Sequence, residues 1–399
     1  MWAVALLCAV HAPRDLQARI PTSCTEPEER TFAMALDTLS HLPVEALRNS
    51  SVLADQVRAV GLVRDTVRPL YGVEKGSMHK RYRYGMYQLP EQVGCLLSEL
   101  ASLPTRLRTF VEVGTWYGWT GLFFRAYLRR LFESGRAVRG RRFRSASFDV
   151  KDMRTPCVKQ LAALHAHDFH RIKASHTRKR KNGTKLPGGL RLVDDFAAGS
   201  AFYRDRLAAS KLLDAPDEAK GGLGVRAIDA RTRAPASGRA KGARAGRMID
   251  LCFIDAEHSF QHVSADVRFF QPICRYLIFH DIVDYDAAGV RTVWLWLSSR
   301  LIYEREGHAA ERAAAADPTA WDAERGYYAK ECVQQAGTNR WNFGLGLISA
   351  RRLNHTWLDE PPSCELTSAV GRLRGRRVWL PRGYKCCKRQ PCRARRKTA

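Results

Sequence analysis

No stretch of this 399-residue sequence reaches the ~18 consecutive apolar residues of a membrane-spanning helix, which argues against a helical bilayer span. No two cysteines stand at the Cys-x-x-Cys spacing of a paired zinc site. There is no internal repeat, which argues against a solenoid. Acidic residues are scarce beside basic ones: 40 Asp and Glu face 66 Lys and Arg, a formal charge of +26. The excess collects in Arg136 to Arg144, Arg171 to Arg191 and Arg372 to Lys397, while residues 251–350 are slightly acidic. Basic runs of this kind can hold polyanions without sequence preference. More often they are solvated insertions or tails, and that reading is preferred.

Apolar residues are plentiful. They make up 45% of the chain, and aromatics 10%, so a substantial core can form and whole-chain disorder is excluded. The length admits two average domains or one large α/β domain with extensions. Of the eleven cysteines, Cys252 and Cys274 lie in apolar surroundings and read as buried core residues. Cys364, Cys386, Cys387 and Cys392 cluster in the basic tail, where disulfides are an open question. Met1 to Val10 is a short apolar run with no Lys or Arg before it. Its length suits the core of a signal peptide and Val10-His11-Ala12 resembles a cleavage site, although Pro13 is unfavourable there. Three sequons, at Asn49, Asn182 and Asn354, are compatible with secretion. The compartment stays open between cytoplasmic and secretory.

Residues 30–102 read mainly as helix, most clearly from Leu89 to Leu103, where Pro90 and Glu91 suit a first turn and Val93, Leu96, Leu97 and Leu100 share one face. From there strands alternate with helices. Thr109–Val113 and Arg144–Val150 read as strands, Gly118–Phe132 and Cys157–Ala166 as the helices that follow them. Residues from about 173 to 246 break the pattern and read as a flexible, basic insertion. Within it, Leu190–Val193 and a helix-like Ala197–Leu213 are candidates for the core. Order returns with strand Ile249–Ile254, helix Ser259–Pro272, strand Arg275–Phe279 and helix Val290–Tyr303. Glu331–Gln334 and Phe343–Ser349 read as the last two strands. Such alternation predicts an α/β fold with a largely parallel sheet and helices on both faces.

In a sheet of that kind ligands bind beyond the carboxyl ends of the strands. Four strand ends here carry glycine or polar residues: Glu112-Val-Gly114, Asp149, Asp255 and His280-Asp281. The first opens a turn with glycines at 114, 118 and 121, which is not the G-x-G-x-x-G fingerprint. It still lets a ligand approach the backbone and the free N–H groups of a helix start. An acid at 149 can accept hydrogen bonds from both hydroxyls of a ribose; its competing role is as a helix cap. Asp255-Ala-Glu-His258 and His280-Asp281 leave strands that would be neighbours about 5 Å apart, so Asp255, Asp281 and His280 can converge on Mg²⁺ or Mn²⁺. His258 is then placed to act as general base. Trp116, Tyr117 and Trp119 either wall a ligand or pack the core.

Together these residues resemble the class I S-adenosylmethionine-dependent methyltransferases, and more narrowly the small-molecule O-methyltransferase-like group called methyltransferase domain 24. The resemblance rests on Phe110-Val-Glu-Val-Gly-Thr-Trp-Tyr-Gly118, on Ser147-Phe-Asp149, and above all on Asp250-Leu-Cys-Phe-Ile-Asp255-Ala-Glu-His258-Ser-Phe260. It continues through Ala265-Asp266, Phe279-His-Asp281, Gly289-Val-Arg291 and Phe343-Gly-Leu-Gly346, and Tyr87-Gln-Leu-Pro90-Glu91 resembles the helix that leads into the family's core. It implies a Rossmann-like seven-stranded sheet with helices on both faces and an antiparallel last strand. By the same resemblance Glu112, Gly114 and Gly118 line the cofactor, Asp149 holds its ribose, Asp255 and Asp281 bind a metal, and His258 is the base; Trp116, in the same turn, is the aromatic candidate to flank the cofactor. One departure is that His280 and Ile282 flank Asp281, where relatives place an acid or Asn beside that aspartate.

The implied organisation is a mostly helical segment over residues 1–104, a methyltransferase domain over 105–350 interrupted by the insertion, and a basic, Cys-containing tail over 351–399. The implied activity is methyl transfer to the hydroxyl of a small molecule with divalent-metal assistance. An RNA or protein methyltransferase that docks through the basic insertion and tail is one alternative, and a non-catalytic binding protein of the same fold is another. Nonspecific polyanion contact through the basic loops fits any of these. Oligomeric state is not legible in the sequence.

Overall fold

The apolar runs that precede a glycine or an acid become the central strands of a single sheet. In the computed structural model the described residues are 20–60, 86, 88–135, 142–149, 152–171, 203, 205–212, 249–256, 258–283, 287–333 and 343–359, with the backbone of 384–387 and 390–394. Residues 1–19, most of the basic insertion with Leu190–Val193 and the Asn182 sequon, and most of the basic tail lie outside them.

Among the described residues three α-helices precede the sheet: α1 (Pro27–His41), α2 (Ser50–Val60) and α3 (Pro90–Ser102). Then follow β1 (Thr109–Val113), α4 (Trp119–Ser134), β2 (Arg144–Asp149), α5 (Pro156–Leu164) and β3 (His167–Arg171). After the insertion come β4 (Ile249–Ile254), α6 (Phe260–Phe270), β5 (Cys274–Phe279) and α7 (Ala288–Glu306). The short helices α8 (Ala309–Ala313) and α9 (Pro318–Arg325) lead to β6 (Ala329–Cys332) and β7 (Leu345–Ser349). In the tail, β8 (Tyr384–Cys387) and β9 (Gln390–Ala394) pair as an antiparallel hairpin.

The strand order is β3-β2-β1-β4-β5-β7-β6. The first five are parallel, and β7 runs antiparallel to both β5 and β6. This is the Rossmann-like seven-stranded sheet that the resemblance implies, antiparallel last strand included. Side chains alternate across it. Phe110, Leu251, Phe253, Tyr276 and Ile278 face a core shared with α1 to α5, whereas Val111, Val113, Cys252, Ile254, Leu277 and Phe279 face one shared with α6 and α7. Burial on both faces explains why β1, β4 and β5 read as continuous apolar runs. Among the described residues no helix is long and apolar enough to cross a membrane.

The helices before β1 belong to the first of these cores. Phe32 of α1 stacks on Trp119 of α4 with ring centroids 4.3 Å apart. The buried Tyr127 hydroxyl of α4 is shared between the carbonyls of Leu47 (2.8 Å) and Leu97 (2.6 Å). Two disulfides strengthen the attachment: Cys24–Cys157 ties the approach to α1 onto α5, and Cys95–Cys332 ties α3 onto β6. Cys252 and Cys274 are buried as expected, but they are bonded to each other across β4 and β5. Hydropathy marks a buried cysteine without revealing whether a partner faces it.

Element boundaries differ most where the chain is polar. Strand β3, His167-Asp-Phe-His-Arg171, has one apolar residue beyond its histidines and sits at a sheet edge, so periodicity does not reveal it. Strand β6 begins two residues before the expected Glu331. Of the expected Ala197–Leu213 helix, residues 205–209 are helical, and Tyr203, Leu207 and Leu212 pack in the second core.

Candidate active site

The candidate site lies where β2, β1, β4 and β5 end together. Gly114 N donates to Phe148 O and Asp255 N donates to Val113 O, each at 2.8 Å, so these strands stay in step to their last residues. Gly114 has φ +91°, and a Cβ there would lie 2.1 Å from the carbonyl oxygen of Asp255. Its glycine is therefore required by the approach of β4 as well as by the turn. Gly118, φ +85°, is the N-cap of α4 and packs against Arg154 of the β2–α5 connection and Val158 of α5.

Asp149 Oδ2 accepts the backbone N–H groups of Thr115 and Trp116, both at 2.8 Å. The residue expected to hold a ribose thus also clamps the β1–α4 turn, and it is not a helix cap. Thr155 caps α5 instead, accepting from Val158 N. Trp116 has φ +50° and is half exposed beside this carboxylate. Tyr117 and Trp119 are buried and pack the first core, which leaves Trp116 as the aromatic of the three that is available to a ligand.

Glu112 is fully buried one strand residue before the turn. Burial pushes its carboxyl up to about 8, with Asp255 and Asp149 acting in the same direction against a hydrogen bond from Ser147. Ser147 Oγ lies 2.6 Å from Glu112 Oε2 and 2.6 Å from His167 Nε2, and His167 Nδ1 lies 2.8 Å from Ser145 Oγ. A buried polar chain therefore crosses β1, β2 and β3. Sequence reasoning missed it, although two serines at alternate positions of β2 were a signal that one polar row ran along that face. Burial, reinforced by Arg125, holds His167 well below the usual imidazole range, so it is neutral.

The raised Glu112 carboxyl makes stability depend on pH. Between about 4.5 and about 8 the unfolded chain has released this proton while the folded chain keeps it, so stability falls as pH rises through that window. Glu112→Gln, which mimics the protonated form, should match the natural protein near the lower limit. At pH 8 it should be more stable by about 4 kcal/mol, as read from urea unfolding at both pH values. Equal pH slopes for the two proteins would contradict the assignment.

At the ends of β4 and β5, ligand atoms of Asp255, His258 and Asp281 all lie within 4.8 Å of one another. His258 Nε2 is 3.1 Å from Asp281 Oδ2. The buried His280 puts Nδ1 2.9 Å from Asp281 Oδ1 and 3.1 Å from Asp255 Oδ1. Burial alone would lower His280, but the two carboxylates outweigh it and hold its imidazole well above the ordinary value. Burial raises Asp255 despite His280, whereas for Asp281 the pull of His280 and His258 exceeds burial and holds it low. Asp281 adopts φ +59°, a strained conformation for a non-glycine residue. Two carboxylates and an imidazole suit a hard divalent cation, and the buried Asp281 Oδ1 receives no well-aligned hydrogen bond. The donor set fits a metal.

One residue near this cluster escaped the sequence analysis. The buried Gln88 accepts from Thr120 Oγ1 at 2.6 Å and directs Nε2 toward Asp255 Oδ2 at 3.5 Å. Its signal was the Tyr87-Gln-Leu-Pro90 string that carried part of the family resemblance. Asp250 in turn is structural. It accepts from the backbone N–H groups of Arg108 and Thr109 at the opposite end of the strands.

No protein-family model matches the chain, and no curated protein matches it. Among the solved structures that resemble it are methyltransferases. An O-methyltransferase from Bacillus cereus in complex with SAH has 11% identity, covering 64% of this chain and 77% of its own, with a TM-score of 0.26. A putative O-methyltransferase from Klebsiella pneumoniae has 12% identity, coverage of 84% and 93%, and a TM-score of 0.25. The calicheamicin methyltransferase CalS11 has 12% identity, coverage of 85% and 98%, and a TM-score of 0.30. Likeness this distant assigns no activity. The fold rests on the strand order itself.

Proposed function

We propose that residues 105–350 transfer a methyl group from S-adenosylmethionine to a hydroxyl of a small-molecule acceptor, assisted by Mg²⁺ or Mn²⁺. The observation that carries this reading is the meeting, at the carboxyl ends of the central strands, of the Gly114–Gly118 turn clamped by Asp149 with the Asp255–His258–Asp281 cluster.

When bound, the cofactor supplies an electrophilic methyl group on a sulfonium, and the cation supplies Lewis acidity that lowers the pKa of an acceptor hydroxyl. Asp149 would hold the ribose from the carboxyl end of β2. Gly114 and Gly118 would admit the cofactor close to the backbone, with Glu112 beneath the methionine end and Trp116 flanking it. Asp255 and Asp281 would hold the cation, and His280 would offset their charge from beneath. Asp281 also orients His258 through Nε2, which leaves Nδ1 as the nitrogen that takes the acceptor's proton. The contribution of these residues is chiefly one of position, because direct transfer needs donor and acceptor in line.

Calorimetric titration of S-adenosylhomocysteine, with and without Mg²⁺, tests the cofactor. Micromolar binding is expected. Asp149→Ala should weaken it by about 10- to 100-fold, since it removes both a charged ribose acceptor and the clamp on the turn. Absence of binding in both buffers would overturn the proposal.

A further inference from the structure

We propose that this protein matures in an oxidising compartment and carries N-linked glycans on Asn49 and Asn354. Two independent sets of observations converge on this, and neither depends on the methyl-transfer reading.

The first is the cysteine pairing. Cys24–Cys157 and Cys95–Cys332 join positions 133 and 237 residues apart, and each closes the N-terminal helical layer onto the sheet domain. Cys24, Cys157 and Cys332 are buried in the first core, with Cys95 packed against it. Bonded pairs this distant in sequence require that the fold bring them together and that an oxidant then act. Each bond forms as two thiols give up two protons and two electrons to a protein disulfide donor. Such bonds persist in secretory and extracellular settings and are rare where glutathione and thioredoxin keep thiols reduced. With Cys252–Cys274, three disulfides form among the described residues.

The second is the geometry of two sequons. Asn49 is exposed just before α2, and its Oδ1 accepts the N–H groups of Ser51 at 3.0 Å and Val52 at 3.2 Å. Asn354 opens the short turn His355–Leu358, and its Oδ1 accepts from Thr356 N at 3.0 Å. In both, the side-chain carbonyl is turned back onto the N–H two residues on, the Asx-turn arrangement. That spends the oxygen on the backbone and leaves the modification to the other amide atom, Nδ2. A glycan added there keeps the cap intact. In the transfer, a bond forms from Nδ2 to the anomeric carbon of a lipid-pyrophosphate-linked oligosaccharide. The bond from that carbon to the pyrophosphate oxygen breaks, and the amide proton leaves with the lipid pyrophosphate.

The test is peptide mapping of the protein immunopurified from its own cells, alkylated without reduction and deglycosylated enzymatically in heavy-oxygen water. The expected result is heavy-oxygen aspartate at positions 49 and 354, together with cross-linked peptides for Cys24–Cys157 and Cys95–Cys332. Alkylated thiols at those four cysteines would overturn the compartment, and unmodified asparagine at either position would overturn that glycan.

Discussion

Replacing His258 with alanine is expected to lower the methyl-transfer rate by about 10²- to 10⁴-fold while leaving S-adenosylhomocysteine affinity nearly unchanged, the range expected for loss of a general base. The separation of effects follows from placement. His258 lies on the β4–α6 loop against Asp281, whereas the cofactor turn is held by Asp149 on β2. His258 also belongs to the group whose donor atoms converge, so Mn²⁺ affinity of the variant distinguishes two roles. Unchanged affinity with lost turnover identifies a base; a parallel fall in both identifies a metal ligand. A loss of cofactor affinity as large as the loss in rate would remove His258 from either role. The rate comparison becomes possible once an acceptor is found, but the Mn²⁺ titration requires none.

Gly114→Ala is expected to destabilise the fold by about 2–5 kcal/mol and to abolish cofactor and metal binding together. An alanine at φ +91° carries about 1–2 kcal/mol of backbone strain. Its Cβ would also stand 2.1 Å from Asp255 O, 2.4 Å from Asp255 C and 2.5 Å from Ala256 Cα. All three are backbone atoms of the neighbouring chain segment, so no side chain can swing away. The strand ends must part, for roughly another 1–3 kcal/mol. Because Gly114 leads into the turn and Asp255 into the acidic cluster, that one displacement reaches both halves of the site. Gly135→Ala is the control, since φ is −76° there and the nearest atoms are 3.4 Å away on the Arg106 side chain. Urea unfolding of the two variants beside the natural protein makes the comparison, and a Gly114→Ala variant as stable as the control would refute the packing argument.

The legible parts of this protein share one property: their physical cause is local. Apolar runs that end in glycine or acid announced β1, β4 and β5, because a strand covered on both faces must be apolar at successive positions. The resemblance extended that to a seven-stranded sheet with an antiparallel last strand. It also gave roles to residues at the strand ends, and those residues lie at or just beyond the carboxyl ends of β1, β2, β4 and β5. What escaped was polar or distant. Strand β3 is held by pairing with β2 rather than by hydropathy, and Gln88 reaches Asp255 from 167 residues away.

By itself the sequence determined where strands and helices alternate, which residues stand at the strand ends, and that the basic charge lies away from the acidic segment with the candidate chemistry. Only the tertiary structure decided what those residues do to one another. It turned Asp149 into a clamp on the Thr115–Trp116 backbone and set His280 between two carboxylates. It joined Glu112 to His167 through Ser147 and paired cysteines 133 and 237 residues apart. The reason is that backbone preference and hydropathy act over a few neighbouring residues. Hydrogen bonds, ion pairs and disulfides depend on distances that exist only after the sheet has brought remote segments together.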